Sequence, residues 1–174
     1  MNILYTFNDK FVPQVMASAT SIMENNKNVE NIHFFFMTLN VDEQVENKIR
    51  DYVRDYNREV SFIHLQEMNN YFKFDFKTTG WNPVILARLL LDKLLPNSID
   101  RILYLDGDTI VRGDLTELWN TDLKDCVIGM GIEPTVDKKR KSALGLSKLP
   151  YHNSGVLLID LKKVETRGYW RFDY

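Results

Sequence analysis

The sequence predicts one α/β domain over residues 1–174, with a mostly parallel sheet that helices cover on both faces, as in Rossmann-like folds. Short apolar segments rich in β-forming residues alternate with longer helical patterns almost from the first residue. That alternation implies right-handed crossovers between parallel strands. An acidic triplet, Asp106-Gly107-Asp108, directly follows one apolar segment. Ligands of this fold class bind at the carboxyl ends of strands, so the triplet is the first candidate site.

The first third of the chain predicts two strand–helix units and a third strand. The first unit joins the apolar segment NILYTF to a helical pattern in FVPQVMASATSIMENN, where Pro13 suits the first turn. The second joins NIHFFFMTL to the amphipathic VDEQVENKIRDYVRDYN, where Asp42 stands at the start as a capping residue would. EVSFIHL predicts the next strand. The aromatic segment that follows, Met68–Asn82, predicts a loop.

The rest of the chain predicts an apolar helix, three strands and a last helical segment. PVILARLLLDKLL predicts a helix that ends at Pro96, and RILYL predicts the strand before the acidic triplet. CVIGMGI and SGVLLIDL predict two further strands. The single cysteine, Cys126, excludes an internal disulfide, and its apolar neighbours predict a buried thiol.

The composition is that of an ordinary globular protein. A net charge of −2 gives no field that would attract nucleic acid, and no segment approaches the roughly 20 apolar residues of a membrane span. The first residues, MNILYTFND, lack the basic leader of a secretory signal. We therefore expect a cytoplasmic protein with a reduced cysteine and no nucleic-acid partner.

The acidic triplet has three interpretations on its residues alone. Asp-Gly between apolar β-forming segments is a hairpin-turn signal. Two carboxylates separated by one residue are also hard ligands for Mn²⁺ or Mg²⁺, and a glycine between them would let a phosphate approach the backbone. LYLDGDTIV further resembles the motif of haloacid-dehalogenase-like phosphatases, but Thr109 stands one residue too early. The position after a parallel strand favours the cation site.

Four segments together resemble the retaining glycosyltransferases of family 8, which include bacterial lipopolysaccharide galactosyl- and glucosyltransferases and glycogenin. They are ILYTFNDKFVPQVMASATSIMENN, ILARLLLDKLLP, RILYLDGDTIVRGDLTELWNTDL and YHNSGVLLIDLKK, and they cover nearly the whole chain. The resemblance implies a nucleotide-diphospho-sugar transferase fold of the GT-A type. It also implies transfer of galactose or glucose from a UDP-sugar to a saccharide or glycolipid hydroxyl, with retained configuration.

The resemblance assigns roles to individual residues. The D-x-D aspartates of the family, which bind Mn²⁺ and the donor diphosphate, match Asp106 and Asp108. Asn153 matches a residue near the donor sugar and Glu133 one on the acceptor side, so both are catalytic candidates. Family members often carry an aspartate where this chain has Asn8, and a tyrosine where it has Leu86. The complete set of implied nucleotide-sugar contacts is Thr6, Asn8, Lys10, Phe11, Arg88, Asp106, Gly107 and Asp108.

Several of these residues also have a purely structural interpretation. Asn8 could cap the first helix. Arg88, the only charge in an apolar helix pattern, is expected to pair with Asp106 or Asp108, which would also support a metal-binding carboxylate. The basic run at 138–141 is interpreted as a solvated helix face, or else as a contact for an anionic acceptor or lipid surface. The three histidines are interpreted as structural: His33, His64 and His152.

The C-terminal residues carry one more expectation. Family members continue with a segment containing Asp-Gln and a histidine that completes the metal site, whereas this chain ends at GYWRFDY. We therefore expect a chain that lacks the C-terminal part of the family. The resemblance also implies peripheral association with the inner face of a membrane. The alternatives are a non-catalytic UDP-sugar-binding fragment and a haloacid-dehalogenase-like phosphatase.

Overall fold

A computed structural model describes residues 1–65 and 83–167 of the chain. Its six strands form one sheet in the order β3-β2-β1-β4-β6-β5. The strands are β1 (Asn2–Asn8), β2 (His33–Leu39), β3 (Glu59–His64), β4 (Arg101–Leu105), β5 (Ile128–Ile132) and β6 (His152–Asp160). The helices are α1 (Val12–Asn25), α2 (Glu43–Asp55), α3 (Leu91–Leu94), α4 (Thr116–Trp119), α5 (Lys138–Ala143) and α6 (Leu161–Arg167). Two 3₁₀ segments span Asp9–Phe11 and Pro83–Leu89.

Strand direction places three chain segments at one edge of the sheet. β1 runs parallel to β2 and to β4, so the carboxyl ends of β1 and β4 lie at the same edge. β6 runs antiparallel to both β4 and β5, with Leu105 opposite Val156. The amino end of β6 therefore meets the carboxyl end of β4. The sheet is mostly parallel, as predicted.

Two hydrophobic clusters cover the two faces of the sheet. One packs α1 and α2 against residues such as Tyr5, Phe36 and Leu103. The other packs residues 84–95 and α6 against Leu4, Tyr104 and their neighbours. Since side chains alternate along a strand, Tyr104 faces the apolar segment that precedes β4, whereas Leu103 faces the opposite cluster.

The predicted helix over PVILARLLLDKLL is not one α-helix. The chain forms a 3₁₀ segment, Pro83–Leu89, and then a single α-helical turn, α3, before Pro96. The buried residues Val84, Ala87 and Leu90 recur every three residues. In a 3₁₀ helix residues three apart are eclipsed, so this winding brings Val84 and Ala87 onto the core, and Leu90 follows directly after the segment.

Other local predictions have mixed outcomes. Asp42 caps α2, since its carboxylate accepts a 2.7 Å hydrogen bond from the backbone N–H of Gln44. The prediction of a buried Cys126 is wrong: the thiol is exposed, because the chain makes a turn from Leu123 to Cys126 and β5 begins only at Ile128. The predicted loop at Met68–Asn82 lies outside the described residues. No helix in the described ranges has the length and apolar character of a bilayer span.

Candidate active site

A cleft of about 380 Å³ opens at the edge of the sheet where β1 and β4 end. The 3₁₀ segment Pro83–Leu89 forms its other wall. All eight residues that the sequence predicted as nucleotide-sugar contacts line this one cleft, although they are spread over about a hundred positions. The lining residues are Thr6, Phe7, Asn8, Lys10, Phe11, Val84, Ile85, Arg88, Tyr104, Asp106, Gly107 and Asp108.

The acidic triplet forms a turn and also lines the cleft. Both the backbone N–H and the hydroxyl of Thr109 donate to the carbonyl of Asp106, at 3.1 and 2.8 Å. The turn does not close a hairpin, because β4 pairs with β1 and β6 and the chain continues into α4. The carboxylates of Asp106 and Asp108 therefore remain at the cleft, where Asp108 is exposed and Asp106 is half-buried.

Packing against α1 requires a glycine at position 107, which the sequence did not reveal. A Cβ atom added there would lie 2.6 Å from Cγ2 of Val15, which is fully buried on α1. The absence of a side chain lets the turn sit directly on α1. The close approach that is expected toward a phosphate stays a prediction beside this contact with the helix.

Tyr104 is a site residue that sequence reasoning missed. Its hydroxyl donates a 2.7 Å hydrogen bond to Oδ1 of Asp106 and lies 3.4 Å from the hydroxyl of Thr6. Burial raises the pKa of the Tyr104 hydroxyl, so the group keeps its proton and acts as a donor. The available signal was strand alternation, which places residues 104 and 106 on the same side.

Arg88 pairs with Asp106, as the sequence predicted. Its Nη1 atom lies 3.8 Å from Oδ1 of Asp106 and donates to the carbonyl of Ser154 at 2.8 Å. Its Nε donates to the carbonyl of Ile85 at 2.9 Å, and its guanidinium lies 4.9 Å from the centre of the Tyr104 ring. The side chain is largely buried, so these contacts hold a cation firmly behind the carboxylate.

Asn8 does not cap a helix. It precedes the 3₁₀ turn in an extended conformation, and its side chain makes no capping hydrogen bond. Its Oδ1 is buried and has no hydrogen-bond partner among the described residues. A buried acceptor without a donor is costly, so a donor brought near Oδ1 by a ligand would lower the free energy of the protein. Lys10 and the exposed ring of Phe11 stand beside it.

Asn153 and Glu133 lie outside the lining of the cleft, and Asn153 is close to Asp106 through Gly155. Nδ2 of Asn153 donates to Glu133 at 3.2 Å, and Oδ1 of Asn153 accepts from the N–H of Gly155 at 2.7 Å. A Cβ at Gly155 would lie 2.8 Å from Oδ2 of Asp106 and 3.0 Å from Oδ1 of Asn153. Hydrogen bonds from Thr135 and then from Asn153 lower the pKa of Glu133.

The carboxylates of Asp106 and Asp108 suit Mn²⁺ or Mg²⁺. Such ions bind through one or two carboxylates and complete their shell with substrate phosphates and water. Tyr104 and Arg88 engage Oδ1 of Asp106, which leaves Oδ2 for a ligand. Within residues 1–65 and 83–167, no group of three or more histidine, cysteine or acidic side chains is arranged to hold a metal.

Comparisons with known proteins agree on one family. The model of Glycosyl transferase family 8 matches residues 2–172. The lipopolysaccharide 1,2-glucosyltransferase of Escherichia coli strain K12 is 28% identical over 169 residues, which cover 94% of this chain and 48% of that protein. The chain thus spans about half the length of the curated relatives it matches.

Solved structures show the same fold. The galactosyltransferase LgtC, in complex with donor and acceptor sugar analogs, matches with a TM-score of 0.83 and 28% identity, over 95% of this chain and 60% of that chain. The bifunctional glycosyltransferase WbbM matches with a TM-score of 0.80 and 16% identity, over 98% of this chain and 33% of that chain. These neighbours confirm the expected GT-A type of fold.

Proposed function

The chain belongs to glycosyltransferase family 8, and we propose that its cleft binds a UDP-sugar. In this proposal galactose or glucose is transferred, with retained configuration, to a hydroxyl of a saccharide or glycolipid acceptor. The reaction requires Mn²⁺ or Mg²⁺ bound by Asp106 and Asp108. Residues 1–174 form the nucleotide-sugar-binding domain of such an enzyme, and we propose a cytoplasmic location for it.

One observation carries the proposal. The loop after β1, the 3₁₀ segment and the acidic turn after β4 converge on one cleft, and each brings residues that the family resemblance assigns to the donor. The cleft combines apolar walls with two carboxylates and an arginine, as a site for a nucleoside diphosphate and its cation needs. The named activities of the relatives, glucosyl and galactosyl transfer, support a hexose as the transferred group.

The residues of the cleft have different roles in binding the UDP-sugar. Asn8 offers its buried acceptor to a ring N–H of the base, and Phe11 offers an aromatic surface. Arg88 and Tyr104 hold Asp106 in place. A divalent cation, when bound, neutralises the negative charge that gathers on the leaving diphosphate.

Asn153 approaches Asp106 through Gly155, and Glu133 accepts a hydrogen bond from Asn153. The hydrogen bond between them and the contact of Gly155 with Asp106 support a role for this amide and carboxylate where the donor sugar and acceptor hydroxyl would meet. We assign Asn153 to the donor sugar and Glu133 to the acceptor side. No covalent nucleophile is assigned, since same-face attack assisted by the leaving phosphate requires none.

Calorimetry of UDP binding, with and without Mn²⁺, tests the proposal. The wild-type chain should bind UDP in a manner that requires Mn²⁺, and Asp106→Ala should abolish that requirement together with most of the affinity. Asp92→Ala, which removes an exposed carboxylate on α3, is the matched control and should bind as wild type. Failure of a folded wild-type chain to bind UDP would refute the proposal.

A second candidate is a UDP-sugar-binding chain without transfer activity. It is favoured by the two-carboxylate set of the described residues. Release of free hexose from UDP-galactose or UDP-glucose would distinguish the two, because a binding module leaves the donor intact. The family match favours both over the phosphatase alternative, which predicts hydrolysis of a generic phosphomonoester.

A further inference from the structure

Between β5 and β6 the chain makes an excursion, residues 133–151, that the donor site does not explain. We call it the basic excursion. Its neck is closed by a 2.8 Å hydrogen bond from the N–H of Glu133 to the carbonyl of Tyr151. It contains five basic and two acidic residues, a net charge of +3 in a chain whose total is −2. Positive charge is therefore concentrated on this one segment.

The basic side chains of the excursion make no hydrogen bond or ion pair with the residues that the structure describes. α5 carries Lys138, Lys139, Arg140 and Lys141, and none of its residues is buried. Within the part of the chain that the structure describes, no hydrogen bond or ion pair engages the ammonium groups of Lys138, Lys139 or Lys141. Like charges repel when they are held this close, so the cluster lowers its free energy when an anionic surface approaches.

Apolar side chains are exposed on the same segment. Among the nine large hydrophobic residues that are exposed in the described chain, five lie in the basic excursion or on the strands that flank it. Leu144 is 53% exposed and Leu149 is 56% exposed. The full set is Met130, Ile132, Leu144, Leu149 and Val156. This density departs from the scattered single residues of an ordinary surface.

The local fold holds the two kinds of side chain together. The N–H of Leu144 bonds to the carbonyl of Arg140, so Leu144 stands one turn beyond that residue on the same side of the helix. Gly145, with a φ of 70°, ends the helix, and the N–H of Leu146 bonds to the carbonyl of Lys141. The excursion is thus a folded unit that presents lysines and leucines to solvent.

We propose that the basic excursion binds the surface of a membrane rich in anionic lipid. Lysine and arginine next to exposed leucine is the chemistry of a peripheral contact, in which cations meet lipid phosphates and leucines enter the interface. A purely polyanionic partner would explain the lysines but not the leucines. The contact itself stands apart from the donor site. Glu133, at the neck of the excursion, contacts Asn153. Given the proposed function, membrane binding by the excursion would therefore turn the acceptor side of the cleft toward the membrane.

The test is sedimentation of the full chain with vesicles. We expect it to bind vesicles of phosphatidylcholine mixed with phosphatidylglycerol, more weakly at higher salt, and not to bind phosphatidylcholine alone. Each lysine near the surface contributes roughly fivefold to partitioning, so K138Q/K139Q should bind on the order of 25-fold more weakly. The matched control, K48Q/K93Q, removes two exposed lysines from other helices and should bind as wild type.

A second pair of variants tests the apolar part. Leu144→Gln should weaken vesicle binding roughly fivefold, whereas Leu118→Gln, on α4, should not. Equal losses in K138Q/K139Q and K48Q/K93Q would overturn the proposal, and so would no binding to anionic vesicles. Binding of a sulfated oligosaccharide instead of vesicles would overturn it in favour of an acidic acceptor.

UDP calorimetry on the same preparations separates this proposal from the proposed function. If the chain binds UDP with Mn²⁺ but does not bind anionic vesicles, only the proposed membrane contact is overturned. A chain that binds anionic vesicles but not UDP would overturn only the donor site. The variants K138Q/K139Q and Leu144→Gln lie outside the donor cleft, so retained UDP binding also verifies that they fold.

Discussion

The hydroxyl of Tyr104 donates a 2.7 Å hydrogen bond to Oδ1 of Asp106, two residues further along the chain. This bond fixes the carboxylate that the family resemblance assigns to the metal. Because the tyrosine is buried between Arg88 and the sheet, the bond also connects the rigid core to the solvent-facing turn. Partners of this kind orient a metal ligand without touching the metal.

Tyr104→Phe should weaken Mn²⁺-dependent UDP binding by about tenfold, because the Asp106 carboxylate loses its fixed orientation. The free energy of unfolding should change by no more than about 1.5 kcal/mol, since the freed carboxylate remains half-exposed to water. Tyr56→Phe is the control, since Tyr56 also donates to a carboxylate, that of Glu24, at 2.8 Å on another surface. Calorimetry and chemical denaturation measure the two quantities. Equal UDP affinity in both variants would contradict the role of Tyr104.

Asp108→Ala and Asp114→Ala should have opposite effects. Asp108 is exposed at the cleft, so its loss should remove the Mn²⁺ dependence of UDP binding and leave the melting temperature unchanged. Asp114 accepts hydrogen bonds from the N–H of Thr116, at 2.6 Å, and from Asn28, at 2.8 Å. Its loss should lower the melting temperature and leave UDP affinity intact. Unchanged Mn²⁺ dependence in Asp108→Ala would refute the metal assignment.

Gly155→Ala should impair the donor site from the neighbouring strand. The added methyl group would lie 2.8 Å from Oδ2 of Asp106 and would push the carboxylate out of position. We expect at least about tenfold weaker Mn²⁺-dependent UDP binding and a stability loss of about 1–3 kcal/mol. Gly131→Ala on β5, where no described residue other than its chain neighbours lies within 4 Å of the added carbon, should change neither quantity. If both variants bind UDP equally well in the presence of Mn²⁺, the contact between Gly155 and Asp106 does not contribute to UDP binding.

The residues of the cleft were largely predictable from the sequence, whereas the contacts behind them were not. Apolar segments identify β1 and β4, and parallel strands bring their ends together, so the loop after β1 and the acidic turn had to meet. The role of Gly107 depends on Val15, which is far away in sequence. The 3₁₀ winding at Pro83–Leu89 was missed because a segment apolar on all sides has no periodicity that distinguishes three residues per turn from 3.6.

The free energy of unfolding should decrease at acidic pH because of His33. Its ring nitrogens lie 2.8 Å from the hydroxyl of Ser61 and 3.5 Å from the carboxylate of Glu59. Burial lowers the pKa of His33 below its ordinary value of 6.5, and the neighbouring Glu59 only partly opposes this. The unfolded chain therefore binds the proton more tightly, so the free energy of unfolding decreases as the pH falls below 6.5. His33→Gln should flatten this dependence, and an NMR titration that gave His33 a pKa at or above 6.5 would contradict it.

Asn8 should lower the stability of the free chain and raise its affinity for UDP. Its Oδ1 is buried in the cleft without a donor among the described residues, and an unsatisfied acceptor costs about 1–3 kcal/mol in the free protein. Asn8→Ala removes that cost, so the free chain should become more stable while its affinity for UDP falls by about tenfold, the effect of one lost hydrogen bond of about 1 kcal/mol plus poorer packing.

Asn26→Ala is the matched control for a buried asparagine. Its amide donates to the carbonyls of Ile22 and Gly113, and its Oδ1 accepts from the N–H of Leu115 at 2.7 Å. Truncation there should destabilise the chain and leave UDP affinity unchanged. Melting curves with and without UDP and Mn²⁺ measure both effects together. If Asn8→Ala lowers the melting temperature of the free chain as Asn26→Ala does, then Oδ1 of Asn8 is already satisfied, and the cleft does not reserve it for a ligand.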